Sequence, residues 1–149
     1  MIWAAFGSRG KSEIALIDCT MDSETYQEVL KDHLLPYATH IGGRKWQFQQ
    51  DNASIHMSHS TRNWFKAKKI RVMKWPSKSP DLNPIENLWG ILARRVYHNG
   101  RQFATVDELK SAITKEWHNL TLKDLQTLVN SMPKRVFAVI QKNGAATKY

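Results

Sequence analysis

Cysteine is almost missing from this sequence. Cys19 stands alone among 149 residues, which excludes intrachain disulfides and any zinc cage built on thiolates. Its simplest reading is a small apolar side chain close to a strand end. Long hydrophobic runs are missing too. No stretch approaches the ~20 apolar residues of a membrane span, and no charged start with an apolar core marks a secretory leader. The chain is therefore expected to be soluble, intracellular and without a membrane partner. Acidic residues are scarce beside basic ones, 13 against 22, giving a net charge of +9. No internal repeat is present. What remains is an ordinary globular composition, 42 % apolar with six Trp, enough for a real core in one domain over 1–149. Residues 143–149 are expected to be a flexible tail.

The positive charge is unevenly placed. Residues 1–50 are close to neutral, whereas 51–100 carry nine basic and three acidic side chains. The densest stretch is Lys66, Lys68, Lys69, Arg71, Lys74 and Lys78, with no acid between them. A polyanion such as DNA suits it, because each phosphate neutralised releases counterions. A solvated basic face that only aids solubility is the competing reading.

Periodicity predicts strands over residues 2–6 and 13–17 around a turn at Gly7–Gly10, then a helix from Asp22/Ser23 with Tyr26, Val29, Leu30, His33, Leu34 and Tyr37 at helical spacing. Gly42–Gly43 breaks the chain. Residues 46–50 alternate as a strand running into Asp51, 58–68 read as a helix, and 70–75 as a further strand. Three prolines restrict the loop 76–84. The next helix shows Ile85, Leu88, Trp89, Leu92 and Val96 as a buried stripe. Helices over 106–118 and 122–141 follow, the last broken or kinked near Pro133. A hairpin followed by alternating helices and strands implies an α/β fold, a mixed sheet covered by helices.

Two carboxylates stand in distinctive surroundings: Asp51 in Gln-Gln-Asp-Asn-Ala-Ser-Ile-His, and Glu86 in Ser-Pro-Asp-Leu-Asn-Pro-Ile-Glu-Asn-Leu-Trp, with thirty-four residues between them. Acids from two different elements are what a Mg²⁺ or Mn²⁺ site for phosphodiester chemistry needs. Brought to about 5 Å at an effective dielectric near 20, they repel by roughly 3 kcal/mol, which a divalent cation offsets. Each has a plainer alternative. Asp51 beside Asn52 also reads as a turn former after a strand. Asn83-Pro84-Ile85-Glu86 also reads as a capping box, with Glu86 reaching back to the helix start. Local sequence leaves both pairs of readings open. His56 and His59 sit at i, i+3 but lack a third nearby ligand. His56, and Asn52 and Asn87 beside the two acids, are candidates for orienting the site.

These motifs resemble the catalytic domain of mariner-superfamily transposases, of the nematode-type branch whose third carboxylate is Glu. The likeness runs from Ile2-Trp3-Ala4-Ala5-Phe6 through the two acidic motifs to Ser-Met-Pro-Lys-Arg at 131–135 and Thr-Lys-Tyr at 147–149. It implies a ribonuclease-H-like fold with extra helices after the sheet, and cut-and-paste DNA transposition. In that reaction water hydrolyses a strand at the transposon end, and the freed 3′-hydroxyl attacks target DNA. By this likeness Asp51 is the second catalytic Asp and Glu86 the third acid, both holding Mg²⁺ or Mn²⁺. DNA is the implied partner, with full-length transposase or self-association beside it, and the nucleus the implied location.

The family's first catalytic Asp lies on the first strand, which here falls before residue 1. Asp18 and Asp22 are poor replacements, since that strand order sets Asp18 two strand spacings away, about 9–10 Å. The expectation is an α/β domain with its first strand missing, inactive as this chain alone and marginally stable. The alternative is a non-catalytic remnant that binds DNA or transposase.

Overall fold

Four short strands open the chain. In the computed structural model, which describes every residue from Met1 to Tyr149, β1 (Ile2–Trp3) pairs antiparallel with β4 (Ala15–Leu16), and β2 (Phe6–Gly7) with β3 (Gly10–Lys11). The predicted hairpin is present, but it is interrupted. Its register runs Trp3↔Ala15 and then Phe6↔Lys11, so the second arm carries one extra residue between the pairs. Buried Ser12 fills the gap: its N–H donates to Ala5 O at 2.8 Å, and its Oγ accepts from Ala5 N at 2.9 Å. This is a bulge, and it splits one predicted ladder into two.

The sequence predicts one domain; the chain divides into two compact units, Met1–Ser79 and Pro80–Tyr149. In the first, the predicted helix from residue 23 becomes two, α1 (Ser23–His33) and α2 (Leu35–Gly42). Pro36 lacks the N–H that would bond back to Asp32 O, so the helical ladder is interrupted at Leu34, which keeps right-handed backbone. Asp22 caps α1 by accepting from Thr25 N at 2.8 Å, and these backbone and side-chain hydrogen bonds hold its carboxyl below the ordinary range. The helix at 58–68 is α4 (His59–Ala67), preceded by one unforeseen turn, α3 (Ser54–Met57).

The predicted strands at 46–50 and 70–75 shrink to a single parallel bridge. Phe48 N donates to Arg71 O, and Met73 N donates to Phe48 O, each at 2.8 Å. No ladder joins them to the opening hairpin. Phe48 nevertheless anchors the core, packed with Ile17, Tyr26, Leu30, Leu34 and Phe65. Trp3, Trp46 and Trp64 lie against this cluster, as their periodic spacing suggests. Glycine is required where α2 meets the hairpin: a Cβ at Gly7 would stand 2.8 Å from Ile41 Cγ2 and 2.9 Å from Ile41 O. Cys19 is exposed, so it contributes nothing to the core.

The second unit is helical. A 3₁₀ turn at Pro80–Leu82 leads into α5 (Pro84–Val96), then α6 (Val106–His118), α7 (Leu122–Asn130) and α8 (Met132–Gln141). The predicted break near Pro133 falls at Ser131. Leu88, Leu92 and Val96 form the buried stripe of α5, facing Trp117 and Leu125 in the unit's core. Trp89 stacks on Trp117 with ring centroids 5.6 Å apart. Arg95 ties α5 to α7, donating to Asp124 Oδ2 at 2.8 Å and to Asn119 O at 3.1 Å. Residues 143–149, predicted as a flexible tail, make defined contacts on Asp81 and Arg135. No helix is long and apolar enough to cross a membrane.

Candidate functional site

Asp51 follows directly on the Phe48 bridge, and a buried polar chain beneath it fixes its side chain. Period-2 alternation puts Gln50 on the same inward face as Phe48, and both are buried. Gln50 Oε1 accepts from the Tyr26 hydroxyl at 2.7 Å, and Gln50 Nε2 donates to His56 O at 3.4 Å. The Tyr26 ring lies against the His56 ring, centroids 4.3 Å apart. His56 Nδ1 then lies 2.6 Å from Asp51 Oδ1, which also accepts from Ala53 N at 3.0 Å. Burial pushes the Tyr26 hydroxyl pKa up, and the nearby Asp51 charge adds to the effect. Tyr26 therefore stays protonated and donating.

The turn reading of Asp51 is realised, and it does not use up the side chain. Its Oδ1 closes a local turn onto Ala53 N, while the side chain remains 58 % exposed and Oδ2 takes part in no hydrogen bond. Asn52 points elsewhere. Its Nδ2 donates to Trp75 O at 3.0 Å and to Ser77 Oγ at 3.2 Å, tying the loop between Lys74 and Lys78 to the residue next to Asp51.

All six basic side chains of the 66–78 stretch are exposed, and none is in an ion pair. Two adopt left-handed backbone, Lys69 and Lys78, each with φ 55. Lys69 sits just past α4, where Ile70 N donates to Phe65 O at 2.9 Å and Lys69 N to Lys66 O at 3.0 Å. That is the helix ending that normally takes glycine.

Glu86 lies in the first turn of α5, where the helix dipole favours a negative charge. The capping-box alternative is not realised. Asn83 is the N-cap and Pro84 the first helical residue, but no side-chain cap bond forms there. The contrast with α7 is direct: Thr121 Oγ1 accepts from Asp124 N, and Asp124 Oδ2 accepts from Thr121 N, a complete reciprocal box. Glu86 is exposed and its carboxylate makes no hydrogen bond or ion pair. Asn87 beside it has a buried Oδ1 with no partner.

The first unit thus gathers Asp51, Asn52, His56 and the 75–77 loop; Glu86 and Asn87 lie on α5 of the second. His59 is exposed and outside the Asp51 network, and no group of three or more His, Cys, Asp or Glu side chains is gathered to hold a metal. Sequence reasoning missed Tyr26 and Gln50 as the support of this site. A polar residue at an inward strand position was the available signal for Gln50.

A family model described as a DDE superfamily endonuclease matches residues 1–110. The chain belongs to this family. It is 45 % identical to the transposable element Tc3 transposase of Caenorhabditis elegans over all 149 residues, which span 45 % of that protein. It is 37 % identical to the Tcb1 transposase of Caenorhabditis briggsae, again over the whole chain and 54 % of the relative. The resemblance to nematode transposases of the mariner superfamily is therefore correct, and the chain spans about half the length of the curated relatives it matches. Among solved structures, the Mos1 transposase catalytic domain with raltegravir and Mn superposes with a TM-score of 0.81, at 16 % identity, covering 99 % of this chain and 76 % of that one. The Mos1 mariner paired-end complex with Mn gives 0.85, at 17 % identity, covering 99 % and 44 %. The fold is the ribonuclease-H-like α/β fold of that catalytic domain.

Proposed function

We propose that residues 1–149 are the metal-binding core of a DNA transposase, acting in strand cleavage and strand transfer, with Asp51 and Glu86 as two of its carboxylate ligands. The observation that carries this reading is that both acids, in their family motifs, keep an exposed carboxylate oxygen with no partner. Hard oxygen donors of this kind fit Mg²⁺ or Mn²⁺. Relatives of the same fold have been solved with Mn and with Mg, which supports the choice of ion.

The chemistry such a cation would supply is a more acidic attacking water or hydroxyl and compensation of charge on the leaving oxygen. The chain's own residues do the positioning. Asp51, through Oδ2, and Glu86 would each offer a carboxylate oxygen to such a cation. His56 and Ala53 N fix Asp51 through Oδ1, and Asn52 fixes the loop between Lys74 and Lys78. Lys66, Lys68, Lys69, Arg71, Lys74 and Lys78 contact DNA phosphates. A third acid comes from chain outside residues 1–149, so these residues alone do not cut, and the work is done in the nucleus. Mos1 transposase forms a paired-end complex with a transposon end, which supports DNA and a second transposase copy as partners here.

A nicking assay tests this. Residues 1–149 leave transposon-end DNA intact in Mg²⁺ or Mn²⁺, while a chain extended upstream cuts it and loses activity in Asp51→Ala and Glu86→Gln. Cleavage by residues 1–149 that survives Asp51→Ala overturns the assignment. The six unpaired basic side chains favour a second reading, a non-catalytic DNA-binding remnant. It predicts DNA affinity that falls steeply with salt and ignores Glu86→Gln in every form of the chain.

A further inference from the structure

Two segments that carry the family likeness, residues 131–135 and 147–149, have no part in the reading above, and they meet on the approach to α5. Asp81 is their junction. Its Oδ2 accepts from both Thr147 N and Thr147 Oγ1 at 2.8 Å, across 66 residues of chain. Its backbone O accepts from Arg135 Nη1 at 2.8 Å. Arg135 is only 2 % exposed; its Nε donates to Ser131 Oγ at 2.8 Å, and its guanidinium lies 5.0 Å from the centre of the Tyr149 ring. The Asp81 carboxylate favours the charge of this guanidinium but forms no ion pair with it, and burying such a group is a costly way to fill space. What this one does is grip a carbonyl in the turn before Glu86.

The grip continues along the backbone. Asn83 N donates to Pro80 O at 2.9 Å across the 3₁₀ turn, and Glu86 N donates to Asn83 O at 3.1 Å. The start of α5 lacks the side-chain cap that α1, α4, α6 and α7 each possess. A helix end without its cap frays readily. Here the restraint arrives from residues 135 and 147 instead.

We propose that Arg135, Thr147 and Tyr149 form a strap that closes on Asp81 and sets the position of Glu86, making Asp81, Arg135 and Thr147 positioning residues for the metal site. The proposal rests on Glu86 being a metal ligand, and the experiment separates the two claims. Amide hydrogen exchange by NMR on the 149-residue chain reads the strap. Exchange of the Asn83 and Glu86 amides quickens about tenfold in Asp81→Ala. It quickens less in Thr147→Ala, which keeps one of the two bonds, and returns to normal in Thr147→Ser. The Leu125 and Asn119 amides stay unchanged. Unchanged exchange at Asn83 and Glu86 in Asp81→Ala, or equal quickening throughout α6 and α7, overturns the strap.

Line broadening by Mn²⁺ alone reads the site. Broadening at Glu86 is lost in Glu86→Gln and needs about tenfold more Mn²⁺ in Thr147→Ala, with Thr147→Ser restoring it. Broadening unaffected by Glu86→Gln overturns the metal reading and leaves the exchange result standing. Broadening lost in Glu86→Gln but full in Asp81→Ala overturns the positioning role.

Discussion

His56 Nδ1 lies 2.6 Å from Oδ1 of Asp51, and the same ring rests on Tyr26 at 4.3 Å. One face of the imidazole is thus fixed by a buried phenol while one edge aims a carboxylate outward. A partner of this kind orients a ligand and raises its affinity for metal. His56→Ala is expected to weaken Mn²⁺ binding at Asp51 by about tenfold or more, and His56→Asn, which keeps an N–H near the same place, to recover part of it. Titration calorimetry or Mn²⁺ broadening at the Asp51 amide measures the change. Equal binding by all three chains would remove His56 from the site.

Tyr26→Phe deletes the donor to Gln50 while keeping the ring against His56. The Gln50 Oε1 atom is then buried without a partner, which costs about 1–3 kcal/mol. Urea unfolding is expected to show that loss with an unchanged denaturant slope. Adding Gln50→Leu to Tyr26→Phe is expected to recover part of that loss, because the orphaned Oε1 goes with it, but not all, because His56 O then loses the Gln50 Nε2 donor.

Lys69 occupies a left-handed position that suits glycine, at a strain of about 1 kcal/mol. Lys69→Gly is therefore expected to raise the unfolding midpoint while weakening DNA binding and lowering its salt dependence by about one ion. Thermal unfolding and binding at two salt concentrations check the two halves separately. A variant that is less stable, or that binds DNA as tightly as before, contradicts the placement of this residue on a working surface.

Acid should release the grip on the start of α5. The Thr147 amide, with the Thr147 hydroxyl behind it, holds the Asp81 carboxyl below its ordinary value of 3.8. A carboxyl depressed in the folded state contributes stability that is complete above its unfolded pKa and disappears as pH falls through the folded one. The gap in thermal midpoint between the parent chain and Asp81→Asn is expected to be constant from about pH 7 to 5 and to close between about pH 4 and 2. A gap that persists at the acid end would mean that the charge of Asp81 is not what matters.

Helices were more legible in the sequence than strands, for a physical reason. The stripe Leu88, Leu92 and Val96 announces α5 because helical bonds are local and an apolar face every turn suffices. The segments around Phe48 and Val72 alternate correctly, yet a strand exists only where another backbone accepts its bonds, and here they share one bridge. Likewise Pro36 was visible but its power to divide a helix depends on how the flanking residues pack. At the candidate site, the motifs singled out Asp51, Asn52, His56 and Glu86, and of these the structure joins Asp51 to His56. Tyr26 was assigned only to the core, because its stripe gives no hint that its hydroxyl ends on Gln50. Nothing local links Asp81 to Thr147, since 66 residues lie between them.

The contact of Gly7 with Ile41 carries its own consequence. With a carbonyl oxygen 2.9 Å from where a methyl would be, no side-chain rearrangement can make room, because backbone stands in the way. The smallest enlargement available to the genetic code, alanine, would act there as a wedge driven between hairpin and helix. This seam admits hydrogen and nothing larger.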